Sequence, residues 1–269
     1  MASETTKTHP WHMVEPSPWP AVGTAGALTM AIGGVWFMHG GPIWLFLAGV
    51  AILLSCMFGW WRDVVRESDI DHTAQVQHGL RVGMILFIAS EVMFFFAFFW
   101  AYFHASVPFL SKVAHEQWPP PGIVPLETWH IPFLNTLILL SSGGTVTWAH
   151  HAIREGRQKT AATAILITVL LGFTFLGFQA YEYGEAAFRL SDGIYPSTFY
   201  LATGFHGFHV FIGACFLTVC LFRTRAGHFT PEQHVGFEAA AWYWHFVDVV
   251  WLFLFSWVYW WGSSGYQWN

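Results

Sequence analysis

Glu91 is the residue best placed to do chemistry, being the only carboxylate or basic side chain in the apolar run Val82–Phe103. The run is 22 residues long and Glu91 is its tenth. As a helix it would extend about 33 Å and hold the carboxyl near the middle of a bilayer. A carboxyl at that depth faces protein or water and marks a functional site. It could carry a proton, or sit as a neutral acid hydrogen-bonded to a neighbouring helix, the form that burial favours. A relay needs a chain of polar partners, and Ser90 is its one polar neighbour in the span; the neutral packing group is the preferred reading. Asp248 is the second deep carboxyl. His245 stands three residues before it, so an Asp–His pair on one helix face is its simplest fate. Glu238 lies near the start of the same span.

Fifteen histidines raise a different chemistry. His206 and His209 share a helix face, His150 and His151 close another span, and His245 lies within the last. Such residues could ligate haem or copper, or hydrogen-bond between helices. Facing histidines at matched depth are what a haem would need. Arg62 and Arg66 sit four apart below Trp60 and Trp61, and Arg223, Arg225 and His228 follow a later span. Basic groups so placed bind lipid head groups, or are ordinary flanking charge. Gly23 and Gly26, Gly143 and Gly144, and Gly204 and Gly207 would allow close helix approach. Cys56, Cys215 and Cys220 all fall in apolar spans without a Cys-x-x-Cys pair, so neither a disulfide framework nor a thiolate metal site is indicated.

These groups need a membrane to hold them. The chain is 55% hydrophobic and 10% charged, with 17 Trp and 27 Phe, where soluble domains carry about 25% charged residues. The pattern is all-α, a single polytopic membrane domain over residues 1–269. Seven spans are expected, at about 21–38, 43–61, 82–103, 133–150, 161–181, 199–222 and 237–261. His39-Gly40-Gly41-Pro42 reads as a tight turn. Residues 1–20 are polar and proline-rich, read as a surface segment rather than a cleaved signal. With alternating loops, Lys7, Arg62, Arg66, Arg81, Arg154, Arg157, Lys159, Arg223 and Arg225 fall on one side, and Lys112 and Arg189 on the other. That asymmetry puts the N-terminus on the cytoplasmic or matrix side. Trp60, Trp61, Trp118, Trp129, Trp260 and Trp261 fall where interfacial belts belong. No basic patch suggests nucleic acid.

Longer motifs carry the reading further. Gly79-Leu80-Arg81-Val82-Gly83-Met84 through Ser90-Glu91-Val92, Trp148-Ala149-His150-His151, Ala202-Thr203-Gly204-Phe205-His206-Gly207-Phe208-His209 and Gly236-Phe237-Glu238 through His245-Phe246-Val247-Asp248-Val249-Val250-Trp251 resemble subunit III of cytochrome c oxidase. Trp118-Pro119-Pro120 with Gly122-Ile123, and Gln179-Ala180-Tyr181-Glu182-Tyr183, are similar to it too. The resemblance runs from Trp19 to Gly262 and is to the seven-helix form of bacteria and mitochondria. It implies two helices and five helices separated by a V-shaped cleft that holds phospholipids. It implies lipid contacts at Trp61, Arg66, Glu67, His72, Arg223 and His228, and places Glu91 at the family's buried, carbodiimide-reactive glutamate. It implies no catalytic residue, haem or metal in this chain, since haem and copper belong to subunits I and II. Structural phospholipids are then its only bound groups. Implied partners are subunit I directly, subunit II and a small fourth subunit, in the bacterial or mitochondrial inner membrane. Ala226 stands where some relatives carry a lysine near the head group, which leaves a cardiolipin preference open. The expected function is support of proton uptake and of subunit I while the complex reduces oxygen to water and pumps protons. The competing expectations are a haem-carrying cytochrome using His206, His209 and His245, and a proton-coupled transporter using Glu91 and Asp248, which would show broken helices or inverted repeats.

Overall fold

The structure is a computed structural model that describes residues 11, 16–110 and 117–267. Lys7, Lys112 and most of the surface segment expected over residues 1–20 lie outside them. Among the described residues there are seven long helices: α1 (Trp19–Met38), α2 (Trp44–Asp71), α3 (Ala74–Ser106), α4 (Ile131–Arg154), α5 (Gln158–Glu185), α6 (Ile194–Arg225) and α7 (Val235–Leu254). α7 continues as a π-helical turn, Phe255–Trp261. Two short strands, β1 (Gln117–Trp118) and β2 (Tyr266–Gln267), pair antiparallel.

Six of the helices, all but α4, are long and apolar enough to cross a membrane. α4, the fourth expected span, is less apolar than the others because Asn135, Thr136, Ser141, Ser142, Thr145, Thr147, His150 and His151 interrupt its sequence. Some of them are buried: Asn135, Thr136 and Ser142 are turned inward with Leu139, Gly143, Val146 and Ala149, and Thr136 and Ser142 return their hydroxyl hydrogens to carbonyls of α4 itself. Residues 62–81, expected as a loop between spans, are mostly helical: α2 runs on to Asp71 and α3 begins at Ala74. Apart from Gly79, the segment has neither Gly nor Pro to stop a helix. At 1.5 Å per residue the two helices reach about 42 and 50 Å, so their charged ends extend past a hydrocarbon core of about 30 Å.

The chain divides into two compact units, one running to Val82 and the other from Gly83 onward. In the first, α1 packs along α2. The turn between them is the one expected, with Gly40 at φ +87°. The closest approach is at Gly33 and Gly49, where an added Cβ would meet the backbone nitrogens of Phe46 and Met30, each at 2.3 Å. Of the glycines expected at helix contacts, Gly26 and Gly143 are crowded and Gly23 is in ordinary contact; Gly204 and Gly207 are barely touched, and Gly144 meets open space. Thr24 and Thr29 return their hydroxyl hydrogens to carbonyls four residues back, which removes bare donors from an apolar surface.

In the second unit, α7 lies at the centre. Trp244 and Trp251, seven residues apart, are fully buried and donate their indole N–H to Ser142 Oγ (2.8 Å) and Thr136 Oγ1 (2.9 Å) on α4. Trp118 corrects one expectation. It is fully buried instead of interfacial, with its ring 5.3 Å from those of Tyr102 and Tyr195 and its Nε1 donating to Tyr102 Oη at 3.0 Å. It pins the proline-rich loop to α3 and α6. Trp60, Trp61, Trp129 and Trp260 are exposed. The π-helical turn leaves carbonyls for side chains to satisfy: Tyr102 Oη donates to Trp257 O and Thr128 Oγ1 to Tyr259 O.

Candidate functional site

Glu91 has a partner that the local sequence could not disclose. His209 Nε2 on α6 lies 2.8 Å from Glu91 Oε2. The histidine side chain is 9% exposed and the glutamate 22%. Phe94, Phe95 and Tyr243 surround the imidazole, the nearest ring centroid being that of Phe95 at 4.9 Å. His209 Nδ1 lies 2.6 Å from Phe205 O. A carbonyl only accepts, so Nδ1 carries the hydrogen. The pair then has two compatible states: a neutral ring accepting from a protonated Glu91, or an imidazolium facing a carboxylate. Both have zero net charge and both hold one proton between ring and carboxyl.

Asp248 repeats the arrangement. His245 Nδ1 lies 3.4 Å from Asp248 Oδ2, the local pair expected from the sequence. His245 Nε2 lies 3.1 Å from Thr147 Oγ1 on α4. Thr147 already donates to Gly143 O at 2.9 Å, so it takes the hydrogen from Nε2 and leaves Nδ1 to face the carboxyl. Gly143 also makes room: a Cβ there would stand 2.5 Å from Asp248 Oδ2. Glu91 and Asp248 are thus each matched to one imidazole whose other nitrogen is committed, which lets a charge exist there without being unpaired.

The other histidines are held by different groups. His206, fully buried, has Nε2 3.1 Å from Val247 O and its ring 5.1 Å from Trp251. His150 packs 5.5 Å from His234. The Nε2 atoms of His206, His209 and His245 therefore engage a backbone carbonyl, a carboxyl and a hydroxyl respectively, three separate protein partners. Among the described residues, no group of three or more His, Cys, Asp and Glu side chains is arranged to hold a metal ion.

The residues expected at lipid fall in two sets, one in each unit. Trp61, Arg66 and Glu67 are on α2, and His72 caps it. Trp61 and Arg66 are exposed, Glu67 and His72 half-buried. Next to them Arg62 pairs with Asp63 at 3.3 Å, and Trp19 Nε1 on α1 donates to Asp63 Oδ2 at 2.7 Å. In the second unit Arg223 is half-buried, its guanidinium 4.5 Å from the centre of the Phe229 ring. His228 is exposed, and its backbone N–H donates to the backbone carbonyl of Arg223 at 3.0 Å. Ala226 caps α6.

One further buried carboxyl lies outside the sites expected from the sequence. Glu182, in the last turn of α5, is 2% exposed. It accepts from Tyr259 Oη at 2.6 Å, and Tyr259 Oη accepts from Gln179 Nε2 at 3.2 Å. The available signal was the spacing of Gln179 and Glu182, three apart on one face of an apolar helix.

Comparison with known proteins agrees with the helices and the motifs they carry. The family described as Cytochrome c oxidase subunit III matches residues 9–263. "Cytochrome c oxidase subunit 3" of Arabidopsis thaliana is 59% identical over 262 residues, covering 96% of this chain and 98% of the relative. The same-named protein of Marchantia polymorpha is 60% identical, covering 96% and 99%, and that of Branchiostoma lanceolatum is 55% identical, covering 95% and 98%. A match of this length, on a helical chain built to cross a membrane, means that the protein belongs to the cytochrome c oxidase subunit III family.

Proposed function

We propose that the chain is a non-catalytic core subunit of a proton-pumping cytochrome c oxidase in an inner membrane, bacterial or mitochondrial, with its N-terminus on the cytoplasmic or matrix side. It binds structural phospholipids, stabilises subunit I, and supports proton uptake while the complex reduces oxygen to water. Subunits I and II carry the haem and copper. The match over nearly the whole chain carries this reading. The lipid part rests on the exposed Trp61 and Arg66 on α2 and on the half-buried Arg223 near the end of α6. An indole gives acyl chains an apolar face, and a guanidinium can hold a phosphate in two hydrogen bonds.

The test is to change Arg66 and Arg223 together to Ala, purify the assembled oxidase, and count phospholipids retained per complex. Fewer lipids and a shorter working life under turnover are expected. Unchanged lipid content would remove the assignment. Stripping the chain from its partners and measuring haem and copper tests the rest: both groups should stay with the partners.

A further inference from the structure

Four buried side chains inside the second unit carry an atom with no hydrogen-bond partner among the described residues: Asn135 Oδ1, Gln179 Oε1, Glu182 Oε2 and His206 Nδ1. None of the four residues is more than 4% exposed. They come from α4, α5 and α6 and meet around two rings of the α7 segment. Tyr259 joins Gln179 to Glu182. The Trp251 ring lies 5.6 Å from Tyr259, 5.1 Å from His206 and 4.7 Å from Phe175. Phe175 O in turn accepts from Asn135 Nδ2 at 3.4 Å.

All four atoms are acceptors. The two amide oxygens and the carboxyl oxygen are so by nature. His206 Nδ1 is one because Nε2 faces the carbonyl of Val247 and must carry the hydrogen. The cluster therefore lacks protons, whereas most buried polar groups find partners. Water supplies two donors per molecule and commonly fills such sites. A protonated Glu182 supplies one more. Among the described residues, the titratable groups that face Glu182 are Tyr183 beside it on α5, Tyr195 and Tyr200 from α6, and Tyr259, with His206 across the cluster, whose one hydrogen is held on Nε2 by Val247 O; none of them brings a positive charge. No ion pair to it is found among the described residues, and an unpaired carboxylate at this depth is costly.

We propose that Asn135, Gln179, Glu182 and His206 line one buried water site, in which Glu182 is held as the neutral carboxylic acid and donates its proton into the site. The first test is a density map of the assembled oxidase fine enough to resolve buried water elsewhere in the complex. Water within hydrogen-bond reach of Glu182 Oε2 and Gln179 Oε1 is expected, and an empty site in such a map overturns the proposal. The second is the infrared difference between the wild-type complex and Glu182→Gln at neutral pH. An acid carbonyl band should be present in the wild type, shift on transfer to heavy water, and vanish in the variant. A carboxylate stretch in its place overturns the proposal. Failure of Glu182→Gln to assemble overturns it too, because an amide reproduces the hydrogen bonds of a neutral acid.

Discussion

Replacing Glu91 separates the two states that its hydrogen bond to His209 allows. His209 Nδ1 is committed to Phe205 O, so everything depends on what faces Nε2 across 2.8 Å. In Glu91→Gln the side-chain amide donates to a neutral Nε2 as a protonated carboxyl would. That variant should keep its stability within about 0.5 kcal/mol, the range of a substitution that breaks no buried contact. Glu91→Ala leaves a nearly buried ring nitrogen without a partner, which costs about 1–3 kcal/mol. That is roughly a 5- to 150-fold fall in the folded-to-unfolded ratio, and a loss of roughly 2–10 °C in the melting of a chain of this size. Glu91→Ala with His209→Leu removes both partners and should recover most of the loss, giving a coupling of about 0.5–3 kcal/mol in the double-mutant cycle. The assays are thermal release of the subunit from the purified oxidase, oxygen consumption, and protons pumped per electron. Assembly and turnover near normal in Glu91→Gln support the neutral pair. The reasoning is refuted if Gln is as damaging as Ala, since the pair would then depend on a full carboxylate charge, or if an assembled Glu91→Gln complex turns over but pumps no protons.

Other substitutions test the packing. Trp118→Ala empties a fully buried site and should cost about 3–5 kcal/mol, while Trp61→Ala, on an exposed ring, should change stability by no more than about 0.5 kcal/mol; paired thermal melts of the complex decide, and equal effects would return Trp118 to the interface. Gly33→Ala sets a methyl group against the backbone of Phe46 and should cost about 1–3 kcal/mol by forcing α1 from α2, read as protease sensitivity of the first unit; a stable variant would mean the helices do not approach so closely. Trp251→Phe removes the donor to Thr136 and should cost about 1 kcal/mol from the lost hydrogen bond, plus the smaller ring, measured by the same melting.

What was legible in the sequence follows from range. The Asp248–His245 pair was readable because one helical turn fixes it. Helix number and type were readable because each apolar run carries its own length. The Glu91–His209 bond joins residues 118 apart in the chain, and nothing near Glu91 specifies it. Only the packing of α3 and α6 brings the two to one depth. α4 has the weakest apolar signal for a related reason. A helix that crosses among other helices is freed from the apolar requirement that lipid imposes, so hydropathy was weakest where protein replaced lipid as the surroundings. Trp118 misled through the rule that puts tryptophan at interfaces. An indole needs an apolar body and one acceptor, and Tyr102 Oη supplies that acceptor inside the fold as water or a head group would outside it. Glu182 has little local signal because its acceptor-rich surroundings come from four different helical segments. The polar interior of this subunit is therefore a property of tertiary contacts, and its carboxyls are best interpreted pair by pair, through the partners that share their protons.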